Sequence, residues 1–265
     1  MTKEITRPLI IIKLGGSVIT NKKENKLEFY NKKISRITKE IIKAKKQKKF
    51  SLIILHGVGP YGHKLVKEYD INNGIKTALQ KKGFQKAHQS VCELNNKIIR
   101  QMKKRLPLQN FIPLNLFITK NKRIIKAQTV GIIQALQKNK IPLLFGDMVK
   151  DQELTGTPLS SDTIAAFLAQ KLNAELLLFG TDVNGVYNQK KEIIQEINKN
   201  NYDNFSSAIT GSKHIDVSGG MKKKIDSIKE YNKNYTTYIF NLNKKNNIYN
   251  NLIGKYNGTK INLKD

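Results

Sequence analysis

The sequence predicts an α/β fold built on a parallel sheet, and three features near the N-terminus carry that expectation. Residues 9–14, LIIIKL, form an apolar run broken only by Lys13 and ending in Gly15-Gly16-Ser17. Residues 30–48 place apolar side chains at Ile34, Ile37, Ile41 and Ile42, the spacing of an amphipathic helix. Residues 51–55, SLIIL, form a second apolar run that empties into HGVGPYGH at 56–63. Strand, glycine turn, helix, strand, glycine loop is a βαβ unit, and its right-handed crossover puts both glycine turns at one carboxyl edge of the sheet. Two such turns on one edge suit a ligand with more than one phosphate group. Lys13, near the end of a buried strand, is costly there unless its ammonium meets an anion.

A chain of 265 residues is long enough for one large α/β domain or two lobes sharing a sheet. No apolar segment approaches the length of a bilayer span and MTKEITRPL has no signal-peptide hydrophobic region, so the expected location is the cytoplasm. The single cysteine, Cys92, excludes an intramolecular disulfide and a thiolate metal cluster. The net charge is +28, but only five of the 48 basic residues are arginine, the residue preferred for bidentate phosphate and base contacts. Lysine, asparagine and isoleucine are in excess together, and no nucleic-acid module accompanies the charge. We read it as a solvated surface, with no specific nucleic-acid partner and no membrane partner.

The rest of the chain continues the α/β pattern. After Gly15-Gly16 comes a polar loop, Ser17 to Lys22. A long helix is predicted over 84–105, short strands at 111–116 and 122–127, a helix over 128–139, and a buried strand, IPLLFGDMV, ending at Gly146-Asp147. KDQELTGTP reads as an exposed hairpin or loop. It leads to Ser160-Ser161-Asp162, a helix N-cap cluster in which spacing alone makes Asp162 a cap residue. ELLLFG at 175–180 is a strand running into Thr181 to Tyr187. DVSGGMKKKI at 216–225 puts Gly219-Gly220 at a helix start, where free N–H groups favour phosphate, with Lys224 about one turn on. TTYIF, a short helix near 244–252 and GTKINL close the sheet. No linker cuts the chain, so 1–172 and 173–265 are expected to be two lobes on one continuous sheet.

Gly57, Gly59 and Gly62 satisfy G-x-G-x-x-G, but no strand ending in an acidic residue follows about 20 residues later, as a dinucleotide fold requires. A Walker A loop fails as well, because His63-Lys64 stands where lysine and a hydroxyl residue are needed. No Ser-His-Asp or Cys-His arrangement is visible, and four histidines with one cysteine point to no dedicated metal site. What remains is lysines, glycine turns, Asp162, Asp182 and His63. Phosphoryl transfer needs such equipment: cations and N–H groups around the transferred group, with few covalent participants.

KLGGSVIT with a following lysine, GDMV, the Ser-x-Asp at 160–162, GTDVNGVY and DVSGGMKKKI occur in an order that resembles the amino acid kinase superfamily over nearly the full length. Within it, GPYGH and GFQKAHQSVCELN resemble the isopentenyl phosphate kinases. The resemblance implies a three-layer αβα sandwich with an open, mostly parallel sheet, usually a homodimer, with an N-terminal acceptor lobe and a C-terminal lobe for Mg2+ and ATP. It implies that Lys13, Lys22 and Lys224 neutralise the transferring phosphoryl group and the β-phosphate, and that Asp162 orients lysines rather than only capping. Gly15, Gly16, Gly57 and Gly59 would give backbone donors to the phosphates, with Ser17, Gly62 and Gly146 beside the acceptor. Thr181, Asp182, Tyr187, Gly219 and Gly220 would surround the nucleotide. His63 would hydrogen-bond the phosphate of isopentenyl phosphate, a ready anionic nucleophile.

The chain departs from the family pattern at Pro60-Tyr61, Ser161 and Asn184, commonly Ser-Phe, Gly and Asp. Pro60 removes an N–H from the acceptor loop, and Tyr61 is expected to bring a hydroxyl near the isoprenoid pocket. His63 argues against the carboxylate and UMP kinases of the same fold and leaves phosphonates such as fosfomycin open. A basic RNA-binding protein on a kinase fold is the reading of another class.

Overall fold

The computed structural model describes residues 7–21, 27–202, 219–231 and 234–263. In chain order, β1 (Leu9–Leu14) leads to α1 (Gly16–Ile19) and α2 (Asn31–Gln47), then β2 (Ser51–His56), α3 (Pro60–Glu68) and α4 (Ala78–Met102). Next come β3 (Leu108–Asn110), a 3-10 turn (Pro113–Asn115), β4 (Phe117–Lys120), β5 (Arg123–Ala127) and α5 (Val130–Gln137). β6 (Ile141–Phe145), β7 (Asp147–Asp151) and β8 (Thr155–Leu159) precede α6 (Ser161–Lys171) and β9 (Leu176–Thr181). β10 (Glu196–Asn198), α7 (Gly219–Tyr231), β11 (Thr236–Asn241), α8 (Asn247–Leu252) and β12 (Thr259–Asn262) complete the described elements.

Eight strands form one sheet in the order β10-β12-β11-β9-β1-β2-β6-β3, parallel except where β12 runs against β11. The carboxyl ends of β1, β2, β6, β9 and β11 therefore share one edge. Successive side chains of a strand point to opposite faces, and the two cores follow that parity. Leu9 and Ile11 pack with Ile132 of α5, Ile164 and Leu168 of α6, and Ile225 and Ile228 of α7. Ile10, Ile12 and Leu14 pack with Ile34, Ile37 and Ile41 of α2, Leu94 and Ile98 of α4, and Ile248 of α8. The result is the αβα sandwich. Each fully buried Leu or Ile contributes ~1.5–3 kcal/mol relative to exposure. Lys13 shares the parity of Ile11, so strand phase alone sends it to the face of α6 and α7.

Four strands form a separate sheet, β5-β4-β7-β8, which the reading of one continuous sheet did not anticipate. Gly146 is the bend that passes the chain from β6 into it. KDQELTGTP, expected to be an exposed hairpin or loop, is the hairpin that joins β7 to the antiparallel β8, but it is not exposed throughout: Asp151 in it is buried. Its carboxylate accepts from the N–H groups of Asn121, Lys122, Glu153 and Leu154 and from Thr119 Oγ1, tying two turns together.

Three further expectations are corrected. Residues 17–19 are helical rather than a polar loop, because Val18 and Ile19 are wanted in the core. FIPLNL is not a strand: Pro113 starts a 3-10 turn, and the strand begins at Phe117. GTKINL does not close the sheet, since β10 lies outside β12. Among the described residues no helix is long and apolar enough to cross a membrane.

Candidate active site

The two glycine turns meet backbone to backbone. A Cβ on Gly57 would lie 2.6 Å from the Gly16 nitrogen, and one on Gly16 would lie 2.7 Å from the Gly59 nitrogen. No other residue permits that approach. Gly59 also has φ +50°, and its Cβ would strike Thr20 Oγ1 at 2.2 Å; that hydroxyl donates to the Gly16 carbonyl at 2.7 Å. The turn after β1 and the loop after β2 are thus one knitted surface.

The sheet claims part of the expected donor set. Gly15 N–H donates to Gly180 O and Gly57 N–H to Leu14 O, both at 2.8 Å, so neither points to a ligand in this geometry. Gly16, half-buried, begins α1, and Gly59, buried, is the N-cap of α3, so both stand at the start of a helix. Ser17 is half-buried in α1. Gly62 serves packing: its Cβ would meet Val58 and Val91, the latter on α4. Pro60 occupies the first turn of α3, where a missing N–H leaves no intrahelical bond unmade.

Below this surface lies the charge centre. Lys13 runs under Gly57, and its Nζ contacts Asp162 Oδ1 at 2.7 Å as a charge contact without an aligned hydrogen bond. Lys224, from α7, donates to Asp162 Oδ2 at 2.7 Å and sits 4.7 Å from the Phe179 ring centroid. All three side chains are at most 15% exposed. The α6 cap is Ser160, whose hydroxyl accepts from Thr163 N–H, so Asp162 is free of the capping role that spacing suggested. Thr163 Oγ1 in turn meets Ser227 Oγ at 3.1 Å, fixing α7 on α6 one turn from Lys224. Gly146 abuts the same helix start, its Cβ direction 3.2 Å from the Ser161 nitrogen.

Burial pushes the Asp162 carboxyl up, but Lys13 and Lys224 outweigh it and hold the group well below the usual carboxylate range. Burial, opposed by Asp162 and aided by Lys13, lowers Lys224 to about 8. Two ammoniums share one carboxylate, so the trio carries an uncompensated positive charge in a desolvated place. Such a charge is expensive unless an anion completes it.

Along the same edge, Thr181 ends β9 with its hydroxyl donating to Val183 O and Phe240 O. Asp182 is exposed and within electrostatic reach of Lys33, and Tyr187 is half-buried and bridges Ile193. Gly219 and Gly220 start α7. Lys22 lies outside the described residues. His63 stands exposed in the first half of α3, immediately after the knitted loop.

One side chain differs from expectation, and two histidines make contacts that the sequence did not announce. Tyr61 is buried, and its hydroxyl donates to Leu27 O at 2.7 Å and accepts from Lys97 at 3.0 Å, so it is committed to the core rather than offered to a pocket. His56 is fully buried, stacked on Phe145, with Nδ1 against Gly57 O and Nε2 against Asn95 Oδ1; burial lowers it to about 4 and keeps it neutral. His88 and Asp147 pair at 2.8 Å, with Cys92 Sγ 3.6 Å from His88 Nε2, an arrangement of Cys, His and Asp that the sequence hid. The sulfur is 3.8 Å from Nδ1 as well, so it lies against the ring rather than in line with one nitrogen. The only sequence signal was the i, i+4 spacing of His88 and Cys92.

The amino acid kinase family profile matches residues 8–241. The chain belongs to the amino acid kinase family. An isopentenyl phosphate kinase from Methanocaldococcus jannaschii is 36% identical over 266 residues, covering 97% of this chain and 100% of that protein. Another from Methanothermobacter thermautotrophicus is 31% identical over 231 residues, 82% of this chain and 84% of that one. A crystal structure described as isopentenyl phosphate kinase superposes with a TM-score of 0.82 at 29% identity, covering 96% of this chain and all of the other. In this amino acid kinase the buried trio and the knitted glycine surface occupy the carboxyl edge, where open α/β sheets bind ligands.

Proposed function

We propose that this chain transfers the γ-phosphoryl group of ATP to the phosphate of isopentenyl phosphate, giving isopentenyl diphosphate and ADP. The observation that carries the reading is the Lys13–Asp162–Lys224 trio, a buried excess of positive charge beneath the two knitted glycine turns. The similarity to isopentenyl phosphate kinases along the whole chain supports the acceptor.

The acceptor is already an anionic nucleophile, so the barrier lies in bringing two anions together. Lys13 and Lys224 offset that repulsion and the charge developing on the transferred group. Lys22 is proposed to join them. Asp162 holds the two buried lysines together and aimed. Residues 1–172 hold the acceptor, with His63 donating to its phosphate and Gly16, Gly59 and Gly146 lining its approach. Residues 173–265 hold ATP through Thr181, Asp182, Tyr187, Gly219 and Gly220. Among the described residues no cluster of His, Cys, Asp or Glu would hold a metal ion by itself, so magnesium would come with the nucleotide and supply further charge neutralisation on its phosphates. The working form is proposed to be a cytoplasmic homodimer.

The test is turnover of purified protein with Mg-ATP, followed by phosphorus NMR, across isopentenyl, dimethylallyl and longer prenyl phosphates and fosfomycin. Preference for isopentenyl phosphate is expected. Turnover of fosfomycin alone would reassign the acceptor to a phosphonate.

A further inference from the structure

A second polar network lies away from the trio, on α2 and α8. Arg36 and Glu40 of α2 form an ion pair at 2.8 Å, with the Glu40 side chain 7% exposed. Arg36 donates to the carbonyl of Leu242 and, at 3.2 Å, to that of Lys244. Glu40 accepts from the N–H of Asn246 at 3.0 Å and more distantly from that of Tyr249 at 3.4 Å. Two side chains from the first part of the chain therefore grip the backbone of the turn between β11 and α8. Asn246 sits there with φ +64°, a left-handed conformation that an outside hold helps maintain.

That turn is joined to the proposed nucleotide loop. Leu242 N–H donates to Thr181 O at 2.8 Å, and Asn241 Nδ2 donates to Asn184 Oδ1 at 3.0 Å. A parallel chain of contacts starts from Lys33 of α2: its Nζ donates to Asn243 Oδ1 at 2.9 Å, and Asn243 N–H donates to Asn241 Oδ1 at 2.8 Å. Every link from α2 to Thr181 and Asn184 is a hydrogen bond, with no flexible apolar step between.

We propose that Arg36 and Glu40 are positioning residues for ATP: they clamp the 242–246 turn to α2 and, through Asn241, set the Thr181–Asn184 loop against the nucleotide. The inference rests on the nucleotide reading of that loop. It locates a determinant of ATP affinity in the part of the chain assigned to the acceptor.

The experiment compares steady-state constants for wild type, Arg36→Gln, Glu40→Ala and Glu40→Gln, with calorimetric titration of ATP into the wild type. Arg36→Gln and Glu40→Ala should each raise KM for ATP about ten-fold and leave KM for isopentenyl phosphate within about two-fold. Glu40→Gln, which keeps an oxygen for Asn246, should recover most of the loss. A purely structural role would lower the melting temperature and leave KM for ATP unchanged in the folded enzyme. Should Glu40→Ala fail to fold, Arg36→Gln, a partly exposed site, carries the comparison. An unchanged KM for ATP in Arg36→Gln, or equal rises for both substrates, would overturn the clamp while leaving the nucleotide reading intact. A wild type that takes up no ATP would overturn that reading and the clamp with it.

Discussion

Lys224 donates to Asp162 at 2.7 Å from a helix that the chain reaches only after four-fifths of its length, while Lys13 holds the other oxygen of the same carboxylate. Asp162→Asn removes the charge that keeps two buried ammoniums together. Breaking one partner of a buried pair costs ~3–5 kcal/mol, so the melting temperature should fall. The loss of aim should lower kcat as well. Lys13→Ala and Lys224→Ala should each lower kcat by about 10²–10³-fold, the scale of removing one electrostatic contact from a transition state. Wild-type rates in both lysine variants would end the charge-neutralisation account.

The pH profile should carry the mark of Lys224. Burial has brought it down to about 8, so above that pH the free enzyme loses an ammonium. Because kcat/KM reports the free enzyme, it should fall as pH rises through about 8. Bound phosphates favour the charged form, so the fall in kcat should come at higher pH. For stability the sign is opposite. A depressed lysine costs most below its folded value, and that cost is relieved between about 8 and the ordinary 10.5, where the folded state binds fewer protons than the unfolded. Profiles of kcat and kcat/KM from pH 6 to 10, fitted separately, check this; coincident profiles would count against it.

His63→Ala separates acceptor from nucleotide. If its donor serves the acceptor phosphate, kcat/KM for isopentenyl phosphate should drop by about 10²-fold, in the range of general hydrogen-bonding and acid–base contributions. ATP affinity, measured by calorimetry, should stay within two-fold. Normal turnover would free His63 from the role proposed for it.

The His88–Asp147 pair makes a different pH prediction. Its hydrogen bond to Asp147 raises His88 to about 10. Burial pushes Asp147 up, and its bonds from His88, Met148 and Leu114 oppose that. The 2.8 Å contact favours the charged pair. A histidine raised in the folded state stabilises fully below about 6.5 and loses that contribution as pH climbs through about 10. His88→Gln should therefore be less stable than wild type near pH 6, with the gap closing toward pH 10 in thermal melts. A gap independent of pH would show that the pair is held uncharged.

Much of the layered fold was legible because strand burial and helix periodicity are local signals. LIIIKL, SLIIL and ELLLFG declare themselves as buried parallel strands, and the glycines that follow them mark the edge. The four-stranded sheet was not legible, since its membership depends on the bend at Gly146 and on Asp151 collecting N–H groups from two turns. Of the trio, Lys13 could be singled out from its cost in a strand. Lys224 could be noted one turn past the Gly219-Gly220 helix start, but only motif resemblance made Asp162 its partner, because their meeting is a tertiary event between α6 and α7. Tyr61 misled for the complementary reason: its sequence neighbours belong to the acceptor loop, but its ring points into the α2 and α4 layer.

The phase of β1 has a consequence for how such an enzyme can change. Because alternate residues serve opposite layers, a one-residue insertion or deletion inside 9–14 that left the strand ends in place would not merely loosen a contact. It would transpose the ammonium into an aliphatic layer built by Ile34, Ile37 and Leu94, and deliver a branched hydrocarbon to Asp162. Substitution can tune this strand; a change of reading length within it is lethal to the chemistry and to the core at one stroke.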